Sequence, residues 1–590
     1  MINTKKTLTA TLMGLSFTAI ATTSEPTSQY GMSLHDELVT TANGAVTTFP
    51  QANVNKNWEV ETKQVTEITD DVYRIAGWGI GNIIAVKGSE GWVIIDTGDN
   101  KKYAKEQRLA LEEKVGQPIN VAAVLYTHTH YAHGTEAWLD EATKIYGHEH
   151  LVANLQADSG VSVLSGNFNT RAAIQFGMLH PTHGEDAFPS LLGFSAEKLT
   201  GTSGFVAPTV TFADGVVETH SIAGITVEVL PSPTDVLDSV AFYFPETKLL
   251  VSNAMNNGSM FNLYTLRGDV YRDPIRLVKA ADLALSRDIK YHVDIHGAAN
   301  IGEKNAREAL ESFRDSMQLI HDQTYRGIAM GKDAQEIAEW IYMPEEQRVG
   351  KETYGQVESY AKQVYSARIG WMGWDVYEIN PLPKQTQASR TVEAMGGGEA
   401  VLSMIDKERP IDNVQSAQWV LHLTSQLTNM NDLPDAAKQA RIEAARMLGQ
   451  HTTSANARGF YVSEALLLEG KLSLGEFTIN DYQELSRVLG AMTAEKLYQS
   501  PVNDNVQYLR YLVDSRKAEG KFVEFNVKFT EYNELYSIVL RNGVIAITHQ
   551  PNSGKTFELD KREWNQLVLG EKRFSELDDE LAIIEQVIVR

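Results

Sequence analysis

The chain has no cysteine among its 590 residues, so neither a disulfide framework nor a thiolate zinc site can form. Basic residues are also short. Against 76 Asp and Glu stand 53 Lys and Arg, a formal net charge of −23. That deficit argues against nucleic acid or an anionic membrane surface as partner, because such binding rests on basic patches. An anionic ligand would need a local cationic pocket, built by metal or arginine, working against the overall field. No apolar run is long enough for a lasting transmembrane anchor; the stretch from Thr7 to Ala21 is short and rich in threonine. No internal repeat recurs at a fixed period.

What is present is ordinary globular composition, 43% hydrophobic and 22% charged, at a length that implies about three to four domains. The basic start ending in Lys5 and Lys6, the apolar middle and the small residues near Ala19 to Thr22 read as a signal peptide over 1–22. A periodic pattern is absent from 23–55, a linker or wrapping arm, and export points to a periplasmic or secreted protein. Between 56 and 302, short β-rich runs alternate with helical ones: Val72–Ala76, Asn82–Val86, Trp92–Asp96, an amphipathic helix Tyr103–Val115, and an apolar strand Ile119–Tyr126. This is a layered α/β pattern. From 303 to 450 only helical periodicity is found, followed by a helical connector over 451–477. Strands return in 478–590, where Phe522–Phe529 and Leu535–Leu540 alternate as a half-buried sheet of an α+β domain.

The chemistry concentrates directly after the strand Ile119–Tyr126. His128, His130 and His133 fall within six residues at its carboxyl end, where α/β folds place their ligands. Neutral imidazoles crowded on one turn suit a borderline-soft cation such as Zn²⁺. His296 closes a later strand and can join them, whereas His148, His150, His180 and His183 read as surface or core residues. Asp96, at the end of an apolar strand, is either an orienting partner for a ligand histidine or a local cap.

Several runs carry a resemblance to a known family. Thr127–His133 matches the His-x-His-x-Asp-His motif of the metallo-β-lactamase superfamily except at Ala132. Asn262–Gly268, with Arg272 and Asp273 after it, resembles a signature of the alkyl sulfatases. Ser165–Asn167 with Arg171, Ile320–Thr324, Gly370–Trp374, Pro381–Pro383 and Val392–Gly397 follow in family order. The resemblance implies an αββα sandwich, an all-helical dimerisation domain and a C-terminal domain similar to sterol carrier proteins. It also implies hydrolysis of alkyl sulfates to alcohol and sulfate by zinc, in a homodimer. Carried over by position, the metal ligands would be His128, His130, His133, Asp273 and His296, with Asp273 as the bridge. Asp273 and Arg267 would be catalytic, and Asn167, Asn262, Tyr264, Thr265 and Arg267 would bind the sulfate.

The departures are at the chemistry. Ala132 stands where the superfamily has an aspartate, Ala254 where the family has a glutamate, Phe261 and Asn380 where it has histidines. Two divalent cations side by side would then face little opposing charge, so the expectation is one or two zinc ions, the second poorly compensated. Three functions stay open on the sequence: an alkyl-sulfatase-like hydrolase with a weakened or single-metal site, a non-catalytic binder of amphiphiles, or a metallo-hydrolase of another substrate.

Overall fold

A computed structural model of the chain describes residues 38–159, 162–189, 201–255, 258–268, 270–344, 347 and 352–590. The expected signal peptide lies outside them. Two sheets form the heart of the molecule. The first has seven strands in chain order: β3 (Gln64–Thr69), β4 (Val72–Ala76), β5 (Ile83–Gly88), β6 (Gly91–Ile95), β7 (Val121–Leu125), β8 (Lys144–His148) and β9 (Val210–Phe212), preceded by a small hairpin of β1 (Leu38–Thr40) and β2 (Val46–Thr48). The second has six: β10 (Glu218–Ile222), β11 (Ile225–Pro231), β12 (Val240–Phe244), β13 (Leu249–Ser252), β14 (Tyr291–Asp294) and β15 (Asn300–Ile301).

The central strands β6, β12 and β13 read as continuous apolar runs because both their faces are covered. In β6, Val93 and Ile95 enter the core between the sheets while Trp92 and Ile94 face the outer layer. In β12, Val240, Phe242 and Phe244 point inward and Ala241 and Tyr243 outward. The period-two alternation thus feeds two cores at once. The helix Lys101–Val115 covers the outside of the first sheet, with Asn100 capping its start and Gly116 in the left-handed conformation ending it. The helices Pro274–Leu285 and Glu303–Ala329 cover the second. The first long helix of the expected helical unit is therefore packed as an outer layer of the sandwich.

Beyond it, helices Val414–Asn429, Asp435–His451 and Ala455–Leu468 pack in succession, the first two around a core that includes Val420, Leu423, Leu427, Ala440 and Ala444. The C-terminal sheet runs β20 (Val544–Thr548), β19 (Glu534–Arg541), β18 (Val523–Phe529), β21 (Thr556–Leu559). The first three strands pair antiparallel as the alternation suggests, and β21 adds a parallel edge. The described part of the arm wraps rather than dangles. Gln51 donates to the carbonyls of Thr353 and Thr453, and buried Arg458 donates to Val46 O at 2.8 Å. Among the described residues no helix is long and apolar enough to cross a membrane.

Candidate metal centre and the cavity beside it

The parallel pair β6 and β7 brings Asp96 and the histidine turn together. Backbone Thr127 N–H donates to Asp96 Oδ1 at 2.8 Å, and the Thr127 hydroxyl donates to Oδ2 at 2.6 Å. With its one proton spent there, Thr127 Oγ1 accepts from His128 Nδ1 at 2.8 Å. With Asp96 ionised, as a cation bound at the cluster would favour, this relay puts the ring proton on Nδ1 and leaves the lone pair on Nε2. That Nε2 is fully buried without a hydrogen-bond partner. Burial pushes the His128 imidazolium down to about 3, so the ring is neutral and ready to ligate at neutral pH. Burial likewise raises the Asp96 carboxyl to about 8, with the two Thr127 donors pulling against it. Asp96 acts through Thr127 on His128, and the capping alternative falls away.

Opposite these rings stands a carboxylate that the sequence reading missed. Asp235 Oδ2 lies 3.6 Å from His128 Nε2 and 3.2 Å from His130 Nδ1. Asn253 Nδ2 at 2.6 Å and the Ser239 hydroxyl at 3.2 Å both donate to Oδ1, which leaves Oδ2 for the histidines. Burial opposes the charge on Asp235, yet His128, His130 and Arg272 hold its carboxyl well below the usual range. His128, His130 and Asp235 each offer one ligand atom, all within 4.8 Å of one another. Two imidazoles, one carboxylate and an orphaned nitrogen fit a single zinc with an open position. The only foresight available was positional: Asp235 follows β11 as the histidines follow β7.

The other expected ligands are elsewhere. Asp273 caps the helix Pro274–Leu285, its side chain accepting from Ile275 N at 3.0 Å, because a short acid before proline fits the N-cap of a helix that opens on it. It does not bridge the histidines. His133 Nδ1 pairs with the Ser203 hydroxyl at 2.9 Å. His296 Nε2 pairs with the Tyr131 phenol at 2.7 Å. Ala132 is buried in the outer core of the first sheet. Ala254 sits at a positive φ of 57°, its N–H donating to Asp294.

A cavity of about 460 Å³ opens beside the cluster, reached by His130, Tyr131, Asp235 and His296. Trp58, Ile80, Phe168, Phe176, Phe261 and Tyr354 give it apolar walls, while Asn262, Arg267 and Arg272 supply polar ones. The Asn262 amide is buried with neither its Nδ2 nor its Oδ1 hydrogen-bonded. Arg272 donates to Asp235 O at 3.1 Å and Asn262 O at 2.7 Å, locking both loops. Arg171 holds the carbonyls of Leu266 and Arg267 from the helix Ser165–Gln175.

The remaining expected contacts need correcting. Asn167 is exposed, and Ser165, Phe168, Asn169 and Ala172 of its helix face the cavity instead. Tyr264 packs against the core under the second sheet, and Thr265 donates to Gln175 at 3.0 Å, so neither lines the cavity. Of the remote histidines, His148 pairs with Asp214 at 3.3 Å and His180 with the Ser463 hydroxyl at 3.0 Å.

Three stretches of the chain match known families. Residues 76–253 match the metallo-beta-lactamase superfamily, 333–471 the alkyl sulfatase dimerisation family and 490–584 the alkyl sulfatase C-terminal family. A linear primary-alkylsulfatase of a Pseudomonas species is 27% identical over 504 residues, 82% of this chain and 92% of that one. An alkyl/aryl-sulfatase of Saccharomyces cerevisiae is 26% identical over 86% of this chain and 77% of its own. The solved structure of a stereoselective inverting sec-alkylsulfatase from a Pseudomonas species aligns with a TM-score of 0.75 at 21% identity, over 93% of this chain and 88% of that one.

Proposed function

We infer that this chain, which belongs to the alkylsulfatase branch of the metallo-β-lactamase superfamily, hydrolyses alkyl sulfate esters at a single zinc held by His128, His130 and Asp235. It is an alkylsulfatase-like metallo-hydrolase. The observation that carries the substrate is the cavity: a ligand-ready cluster at one side, and apolar walls running away from it.

Zinc in such a three-ligand site supplies a Lewis acid and a water that ionises near neutral pH. The protein does the rest. Asp96 and Thr127 hold the His128 lone pair on the metal side; Asn253 and Ser239 do the same for Asp235 Oδ2. Arg267 and Arg272 oppose the sulfate charge that the acidic surface would repel, and the unpaired Asn262 amide offers a donor to a sulfate oxygen. Trp58, Phe168 and Phe176 take the alkyl chain, whose burial contributes ~0.8 kcal/mol per methylene. Affinity within a series of alkyl sulfates rises about fourfold per carbon until the cavity is filled.

A separate cavity of about 410 Å³, where Phe522, Phe525, Phe557 and Ile583 face Glu524, Lys555, Asp578 and Glu580, supports reading the C-terminal domain as a sterol-carrier-like store for amphiphiles. The homodimer is supported by an exposed apolar arm in the dimerisation region, with Trp371, Trp374 and Val376 each more than two-thirds exposed. A periplasmic or secreted location rests on the leader over 1–22. The test of the reaction is sulfate release from dodecyl sulfate, with and without chelator. Turnover that needs zinc and is lost in His130→Ala supports it. A purified protein that binds dodecyl sulfate but releases none, whatever zinc is added, makes it a binding protein instead.

A further inference from the structure

We propose that Tyr131 stands in for a second metal ion, holding Nε2 of His296 so that the centre is mononuclear by construction. The inference rests on the zinc reading of His128, His130 and Asp235. Tyr131 is the residue between the two ends of the histidine motif, and its ring lies edge-on to both His128 and His296, 5.1 and 5.4 Å between centroids. Its phenol is 2.7 Å from His296 Nε2, a contact that bridges 165 positions in the chain. Asp294 Oδ1, 3.7 Å from His296 Nδ1, draws the ring proton to that side, so the Nε2 lone pair takes the phenol's proton and is not offered to a cation unless that bond is broken.

The surroundings are built for the ring. A Cβ placed on Gly81 would meet the Tyr131 ring at 2.6 Å, so only glycine leaves room there. The Tyr131 carbonyl is pinned by Thr97 N–H at 2.8 Å and by the Thr97 hydroxyl at 3.0 Å. On the same side, His133 is tied to Ser203, and the two positions that would carry anionic ligands are Ala132 and Ala254. Paired metals sit roughly 3.5–4 Å apart and need carboxylates to offset their repulsion. Here the neutral phenol–imidazole pair fills that role without charge, and the loss of the carboxylates goes with it.

Zinc content per folded chain, measured by elemental analysis after equilibration with zinc and gel filtration, tests this without recourse to activity. Wild type and His296→Gln each retain one zinc with affinities within about twofold, while His130→Ala loses it. Ala132→Asp alone also holds one, because Tyr131 still engages His296. Tyr131→Phe with Ala132→Asp takes up a second. Two zinc ions in wild type, zinc lost from His296→Gln, two in Ala132→Asp alone, or one in a folded double variant each overturn the proposal. If the double variant does not fold, His296→Gln decides. Zinc retained by His130→Ala instead sinks the single-site reading on which the proposal stands.

Discussion

Two sides of one turn differ sharply in how they are supported. On the side of His128, His130 and Asp235, the supporting bonds run outward to Asp96, Thr127, Asn253 and Ser239 and leave the three ligand atoms facing one another within 4.8 Å. On the side of His133 and His296, one nitrogen of each ring is engaged, Nδ1 by Ser203 and Nε2 by Tyr131, and Ala132 and Ala254 bring no charge. Histidines alone do not make a metal site. What separates the two sides is whether neighbouring groups hold the lone pair available or use it up.

Removing the ligand carboxylate should give the largest effect. Asp235→Ala leaves two neutral imidazoles, and zinc affinity falls more than about 100-fold, below what isothermal titration detects. Next comes its support. Asn253→Ala or Thr127→Val keeps all three ligands and lowers zinc affinity about 10–100-fold, read by competition with a chelating dye. Equal affinity in these variants would break the comparison, since it would make the outward bonds ornamental.

A buried histidine away from the centre separates metal effects from burial alone. Burial and Arg458 push His180 down to about 3, below its ordinary unfolded value of roughly 6.5. The unfolded chain therefore binds the extra proton between these values. Stability is fully present above about pH 6.5 and is lost as pH falls toward 3. His180→Gln should flatten the acid loss by about 2 kcal/mol between pH 7 and 5, followed by urea unfolding of zinc-loaded protein. The smallest effect belongs to the helix cap: Asp273→Ala costs about 1 kcal/mol of stability and leaves zinc content unchanged. A loss of zinc in that variant would restore Asp273 to the centre.

The sandwich was legible because apolar alternation and turn glycines are local properties. The strand before the histidines, the hairpin at Gly88–Gly91 and the helix ending at Gly116 all stand where the sequence places them. The centre was half legible. His128 and His130 announce themselves by spacing, but Asp235 is one of 76 acidic residues, in a loop without periodicity. Nothing local distinguishes it from Asp273, whose neighbouring proline instead marks a helix start. The run Asn262–Gly268 misled differently. It is contiguous in sequence, yet its side chains diverge, so Asn262 and Arg267 reach the cavity while Tyr264 and Thr265 turn into the packing. The phenol of Tyr131 carries no sequence signal, since its partner lies 165 residues away.

Anomalous diffraction at the zinc edge, from crystals grown with zinc, tests the central claim most directly. The account predicts one peak per chain, within bonding distance of His128 Nε2, His130 and Asp235 Oδ2. Two peaks, or one seated between His133 and His296, would contradict it.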